Sequence, residues 1–470
     1  MNNQCFKWTV SDILKAVKGH YLFGDTSQQF FTISIDSRFS DTNALFVAIV
    51  GENFDSHLFI PDVIRKNVRG ILIQQDRISQ NQMDSWKKSN LLCIAVPDTI
   101  KALGDLAHYQ RMQWRGSVVG ITGTNGKTSV KEMTAAVLST TFKTIKTQGN
   151  FNNHIGVPKT LFQIEKKHEW AIVEMGMNHF GEIAYLAKMS RPDIGIITNI
   201  GPGHLEGVQS LEGVRQAKGE LLQYLPKKGV AILNADDPLV ISLGKHLPCP
   251  LITYGIISSA DICATQLSES INGCKFKLQT ADTSIDIHLP AQGRFMILNA
   301  LAAAATGYYL NIPLDSIKTG LESFNPIHGR LTIHHSKDDI YIIDDTYNAN
   351  PASMCAALDS LKQLRQSNNS YLVCGDMYEL GSDTKKYHKD VGQYATHSGI
   401  TGLFATGQYA DETICGAHTA GLNSSALYQG SFEEIASTLS ILLKPGDWIL
   451  VKGSRAMKME QLVDRLLSNC

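Results

Sequence analysis

No CxxC pair occurs anywhere in the 470-residue chain, and its nine cysteines are odd in number and scattered. That argues against a disulfide framework or a cysteine zinc site and fits a reducing compartment. No run approaches the ~20 apolar residues of a membrane span. The opening residues, Met1-Asn2-Asn3-Gln4-Cys5-Phe6-Lys7-Trp8, lack the basic-then-apolar layout of a secretory signal, so a cytoplasmic protein is expected. Excess charge of either sign is also missing. With 43 Lys and Arg against 44 Asp and Glu, the formal net charge is −1, and nothing advertises a nucleic-acid or acidic-membrane partner. Internal repeats and low-complexity tracts are absent. What remains, 43% hydrophobic and 19% charged residues, is ordinary for a globular protein. The length is too great for one core and predicts about three domains.

What is present is one organising stretch, Gly120-Ile121-Thr122-Gly123-Thr124-Asn125-Gly126-Lys127-Thr128. It follows the apolar run Ser117-Val118-Val119 and precedes residues 129–138, which have helical spacing. Strand, glycine-rich turn, Lys-Thr, helix is the context of a phosphate-binding loop. Glycines let backbone N–H groups curl round a phosphate while the new helix aims its N-terminal dipole there. Lys127 would neutralise the outer phosphates and Thr128 would hold Mg²⁺. The loop is a variant, because the general pattern puts its first glycine where Ile121 stands.

The first unit, 1–111, reads as a small α/β domain: a helix over Val10–Val17, strands over Phe30–Ile35, Ala44–Ile49, Gly70–Ile73 and Leu91–Val96, and a helix over Thr99–Arg111. Asp36-Ser37-Arg38 and Gly51-Glu52-Asn53-Phe54-Asp55-Ser56-His57 are its polar turns. A Ser-Arg pair in a turn can hold a phosphate through the guanidinium fork; from spacing alone, a plain surface turn is the better reading. The second unit, 112–325, alternates the apolar runs Ala171–Val173, Ile194–Ile197 and Val230–Leu233 with helical segments, predicting a parallel sheet covered on both faces. Glu174, then Thr198-Asn199 and Gly201–Glu206, then Asn234–Asp237 follow those runs. Ligands of open α/β sheets bind outside the carboxyl ends of strands, so these clusters should share a crevice with the P-loop. Residues 256–290 look like an antiparallel insertion, and Asn299–Leu310 a helix. The third unit, 326–470, is a second nucleotide-fold-like sheet with strands at Ile340–Asp344, Tyr371–Cys374, Gly402–Ala405 and Trp448–Val451.

Taken singly, Glu174 is a strand-end acid, His204 a loop histidine and Lys218 a surface lysine. Beside a P-loop, Thr128 and Glu174 offer the hard oxygens Mg²⁺ wants, and His204 could join a second site. The Asp344–Pro351 turn, with two acids and two amides, is either a rigid Pro-stopped turn or a ribose, phosphate or water site. No guanine-reading Asn-Lys-x-Asp stretch occurs, which argues against a GTPase switch.

At this point the motifs resemble a known family. The P-loop, Gly149-Asn150-Phe151-Asn152-Asn153, Glu174-Met175-Gly176, Asn199–Glu206, Ala217-Lys218-Gly219-Glu220 and Asn299-Ala300-Leu301-Ala302-Ala303 occur in that order. Together, over nearly the whole chain, they resemble the Mur ligases, ATP-dependent amide-forming enzymes of peptidoglycan precursor synthesis. Gly375–Gly381, Asp345–Asn350 and Val451–Arg455 look like the member that joins D-alanyl-D-alanine to UDP-N-acetylmuramoyl-tripeptide. No Asp-Asn-Pro-Arg stretch of the diamino-acid-adding sister is present.

The resemblance implies ATP and Mg²⁺ as cofactors, an acyl-phosphate intermediate, a closing third domain, and an expected monomer. It implies Gly123, Thr124, Asn125, Gly126, Lys127 and Thr128 on the ATP phosphates, with Asn299, Arg330, Asp345 and Asn348 completing the nucleotide site. It implies Lys127, Glu174, His204 and Lys218 as catalytic, and Thr128, Glu174, His204 and a carbamylated Lys218 as metal-binding. Ser37 and Arg38 would face UDP, and Asn152, Asn153 and Lys452 the rest of the substrate. Alternatives are a sister ligase adding another amino acid, or a catalytically silent relative. Three residues depart from the family pattern: His154 where an acid is expected, Ser56 where a glycine is, and Phe295-Met296 where many relatives have His-Asn. His154 bears on which third residue of the tripeptide is accepted.

Overall fold

Runs rich in Val, Ile and Leu form the centres of three sheets in the computed structural model, which describes residues 6–51, 54–89 and 91–469. The residues before 6, Glu52 and Asn53 of the Gly51–His57 turn, and Cys470 lie outside the described residues. The first sheet has five strands in the order His20–Phe23, Leu92–Val96, Gly70–Gln74, Ala44–Val47, Thr32–Ser34, parallel except for the first pair. The central sheet has nine: Ser284–Leu289, Gly273–Gln279, Ile262–Ser270, Leu251–Gly255, Val230–Asn234, Ile194–Ile197, Ser117–Thr122, Trp170–Glu174, Thr144–Lys146. The third has six: Thr332–His335, Tyr341–Asp345, Trp448–Lys452, Ser370–Cys374, Gly402–Ala405, Leu427–Gln429. The result is a three-domain α/β fold with helices on both sheet faces.

Both faces of each sheet are apolar, as the unbroken hydrophobic runs require. Val118 packs into one core of the central sheet, Val119 and Ile121 into the other, the period of two that a strand imposes. Ile342, Val373 and Ile449 face one core of the third sheet; Ile343, Leu372 and Leu450 face the opposite one.

Three expectations need correction. Phe30–Ile35 is not one strand: Gln29–Phe30 pairs with Trp8–Thr9, and Thr32–Ser34 joins the five-stranded sheet. The chain breaks because Phe30 turns into the core against Gly70 while the Phe31 amide donates to Asn43 O at 2.9 Å. Residues 262–289 are antiparallel as expected but extend the central sheet, Ile262–Ser270 running parallel beside Leu251–Gly255. The helix assigned from Asn299 begins at Arg294, after Gly293 at φ +93°, so Phe295 and Met296 are helical.

The first unit docks on the second through the helix Thr99–Gln113. Its Arg111 is buried and donates to Ser190 O at 2.8 Å and Arg191 O at 3.2 Å. Gln110 donates to the carbonyls of Leu161, Phe162 and Ile164. Among the described residues no helix is long and apolar enough to cross a membrane, and seven cysteines are free thiols.

Candidate active site

The strand Ser117–Thr122 lies between Trp170–Glu174 and Ile194–Ile197, all parallel. The P-loop, Glu174 and Thr198-Asn199 therefore leave the sheet at one end, side by side. Two glycines make the turn possible. At Gly123, φ +151°, a Cβ would fall 1.8 Å from Thr198 Oγ1; at Gly126, φ +80°, it would fall 2.4 Å from Asn299 Oδ1. The neighbouring strand end then fixes the loop. Thr124 N donates to Asn199 O at 2.9 Å, Asn125 N to Asn199 Oδ1 at 2.8 Å, and Thr198 Oγ1 to Asn125 O at 2.6 Å. Gly126 caps the helix Lys127–Ser139 without a side chain, leaving its first N–H groups available to an anion. Lys127 Nζ folds over the loop, donating to Gly123 O at 2.8 Å and Thr124 O at 3.1 Å. Burial pushes its ammonium below the ordinary lysine range, with Glu174 acting in the opposite sense.

Glu174 is almost fully buried. Its Oε1 accepts from Asn152 Nδ2 at 2.8 Å, and its Oε2 has no hydrogen-bond partner. Lys131 Nζ lies 3.7 Å from that oxygen, 3.1 Å from Glu132, and donates to Gly149 O at 2.9 Å. An orphaned carboxylate oxygen on a cavity that Thr128 also lines suits a hard cation. Mg²⁺ commonly takes one or two protein oxygens and completes its shell with phosphate and water, and among the described residues no three His, Cys, Asp or Glu side chains form a ready ligand set.

The cavity, about 540 Å³, is walled by both the second and third units. Asn125, Thr128, Glu174 and His204 face Arg330, Asp345, Asn348 and Lys452 across it, with Phe295, Met296 and Asn299 on one side. Arg330 Nη2 donates to Thr128 Oγ1 at 2.9 Å, its guanidinium stacked 4.0 Å over the Tyr347 ring. Asn125 and Asn350 exchange side-chain hydrogen bonds at 2.7 and 3.3 Å. His204 Nδ1 sits 2.6 Å from Glu379 Oε2. Lys452 Nζ pairs with Asp345 at 2.5 Å and donates to Asn348 O at 2.9 Å, so it lies on the third unit's wall of the cavity.

Besides Gly123, which forms the turn beneath it, four expected residues stand off the cavity. Lys218 is buried on the helix Leu211–Gly219 and makes no side-chain hydrogen bond or ion pair among the described residues; burial and the charge of Lys127 push it well below the ordinary range. Asn153 Oδ1 accepts from Ile155 N and Gly156 N, starting the next helix. Ser37 and Arg38 stay in the first unit. Arg38 Nε and Nη2 fork onto Asp36 at 2.9 and 2.7 Å, which with backbone hydrogen bonding holds that carboxyl at about 2. Lys66 Nζ donates to the carbonyls of Ser37 and Arg38. Sequence reasoning missed Lys131, Asn350 and Glu379 as site neighbours. The last two lie within motifs already singled out, whereas Lys131 reads as one more polar helix residue.

A P-loop strand flanked by Glu174 and roofed by a second nucleotide-fold unit defines an ATP-dependent ligase class. Residues 121–307 match the Mur ligase middle domain and 329–455 the Mur ligase glutamate ligase domain; the chain belongs to the Mur ligase family. Within it, the chain is 36% identical to the UDP-N-acetylmuramoyl-tripeptide--D-alanyl-D-alanine ligase of Escherichia coli, covering 98% of each chain. It is 37% identical to the enzyme of that name from Buchnera aphidicola, covering 93% of this chain and 92% of the relative. A crystal structure of MurF from Acinetobacter baumannii superposes with a TM-score of 0.89 at 31% identity, covering 99% of each chain.

Proposed function

We propose that this enzyme joins D-alanyl-D-alanine to UDP-N-acetylmuramoyl-tripeptide in cytoplasmic peptidoglycan precursor synthesis, acting as a monomer of three units, 1–111, 112–325 and 326–470. The observation that carries the reading is the single cavity on which the P-loop, Glu174 and His204 meet Arg330, Asp345 and Asn348. A carboxylate is a poor electrophile, so the tripeptide's terminal carboxylate first takes the γ-phosphoryl group of ATP, releasing ADP. The amine of D-alanyl-D-alanine then attacks the acyl phosphate, and the tetrahedral intermediate collapses to amide and phosphate.

The chain's share is positioning and charge neutralisation. Residues 123–128 cradle the phosphates, and Lys127 exchanges its two carbonyl partners for phosphate oxygens. Arg330 adds a second cation from the third unit, and Asn299 borders the base. Mg²⁺, when bound, would neutralise phosphate charge; Thr128, Glu174 and His204 are the residues to hold it, with Asn152 fixing the orientation of Glu174. Lys218, its basicity lowered by burial and by the charge of Lys127, is the lysine to take up CO₂ as a carbamate. Ser37 and Arg38 bind UDP once Arg38 shares its fork between Asp36 and phosphate. Asn152, Asn153 and Lys452 border the muramoyl-peptide arm.

Phosphate release from ATP with UDP-N-acetylmuramoyl-tripeptide, with and without D-alanyl-D-alanine, tests this. Release that requires both substrates is expected, and the lysine and diaminopimelate forms of the tripeptide are ranked in the same plate. Release with neither form, from a protein that binds ATP, would overturn the reading.

A further inference from the structure

His204 and Glu379 come from different units, and both hold the left-handed backbone, at φ +58° and +63°, that non-glycine residues adopt only when their surroundings over-determine it. They meet each other. His204 Nδ1 lies 2.6 Å from Glu379 Oε2, and the amide following His204, Leu205 N, donates to Glu379 O at 3.0 Å. Two strained residues thus touch through side chain and backbone at the same place.

The turn that carries Glu379 is rigid within the third unit. Met377 N donates to the buried His388 Nε2 at 2.9 Å and Tyr378 N to Ser454 Oγ at 2.9 Å, with Gly381 closing the turn at φ +70°. The turn that carries His204 is less secured. It caps a helix of only one turn, Leu205–Val208, which ends at Gln209 in a second left-handed conformation. A firmly built element therefore presses on a weakly built one. His204 lines the cavity, and its Nδ1 is buried with the Glu379 carboxylate as its charged neighbour, a close ion contact without hydrogen-bond geometry.

We infer that Glu379 is a positioning residue for the proposed ligase reaction: by engaging Nδ1 and the Leu205 amide, it sets the His204 imidazole in the cavity only once the third unit has closed. The inference rests on the function proposed above. It makes the contribution of His204 conditional on closure, so bound ATP meets a complete site only after the third unit has docked.

The test measures steady-state phosphate release for the full-length wild type, Glu379→Ala, Glu379→Gln, His204→Ala and the double alanine variant, with melting temperatures for each. Glu379→Ala should lower kcat about tenfold or more while KM for ATP stays within about twofold. Glu379→Gln, whose carbonyl keeps an oxygen beside Nδ1, should recover most of the rate, a rescue that a lost charge alone would not give. In the His204→Ala background, Glu379→Ala should change kcat by less than about twofold, because a residue acting through His204 has nothing left to position. Wild-type kcat in Glu379→Ala, or independent losses that multiply in the double variant, would overturn the inference. A wild type that releases no phosphate with either substrate would instead overturn the function beneath it.

Discussion

Lys127 and Lys131 stand one turn apart on the P-loop helix, and their environments assign them different work. Lys127 is half-buried and bonds only two backbone carbonyls of its own loop, contacts that a phosphate can replace. Lys127→Ala should therefore keep its melting temperature while kcat for phosphate release falls about 100-fold or more, the scale of one lost transition-state charge contact; a near-normal rate would remove the loop from the mechanism. Lys131 is wholly buried between Glu174, Glu132 and Gly149 O. Removing one partner of a buried pair leaves the other uncompensated, so Lys131→Met should cost about 3–5 kcal/mol in urea unfolding. Two neighbouring lysines thus separate by readout, one in rate and one in stability.

At the scale of elements, the Gly375–Gly381 turn hangs on a histidine. His388 is buried on the helix Thr384–His397, accepting from Met377 N and engaging Thr384 O at 2.8 Å. Burial lowers its pKa below the ordinary 6.5. The unfolded chain therefore takes up this proton at a higher pH than the folded one, so the stability His388 contributes is present above pH 6.5 and is lost as pH falls below it. Urea unfolding at pH 7.5 and 5.5 should show a larger loss for the wild type than for His388→Gln, and equal losses would place the acid sensitivity elsewhere. None of this was legible from sequence, because His388 carries no motif and its partner lies on another element. The strand–loop–helix order at 117–139, the acid after Trp170–Glu174 and the strand centres of all three sheets were legible, since an unbroken apolar run fixes burial on both faces. Short edge strands such as Thr144–Lys146 and Leu427–Gln429 were not, being too brief to show a period. The helix start at Arg294 was hidden by Phe295 and Met296, whose side chains line the cavity as well as extending the helix.

Across the whole molecule the two interfaces differ in kind. The first unit is anchored to the second by the buried Arg111 and Gln110, which bond backbone carbonyls of two separate segments, 161–164 and 190–191, with Asp193 beside the Arg111 guanidinium. The third unit meets the second through Arg330–Thr128, Asn125–Asn350 and His204–Glu379, side-chain contacts around a cavity in which water can replace each partner. Polar inter-domain contacts of this kind permit relative motion, and a reactive acyl phosphate calls for a site that closes against water. The second and first units should therefore move as one body while the third swings. Small-angle scattering should show a smaller radius of gyration with ATP analogue plus muramoyl-tripeptide than without. Hydrogen exchange should show protection gained at 204–206 and 375–381 but unchanged along 99–113. An unchanged radius would count against closure, and protection gained along 99–113 would move the hinge to the other interface.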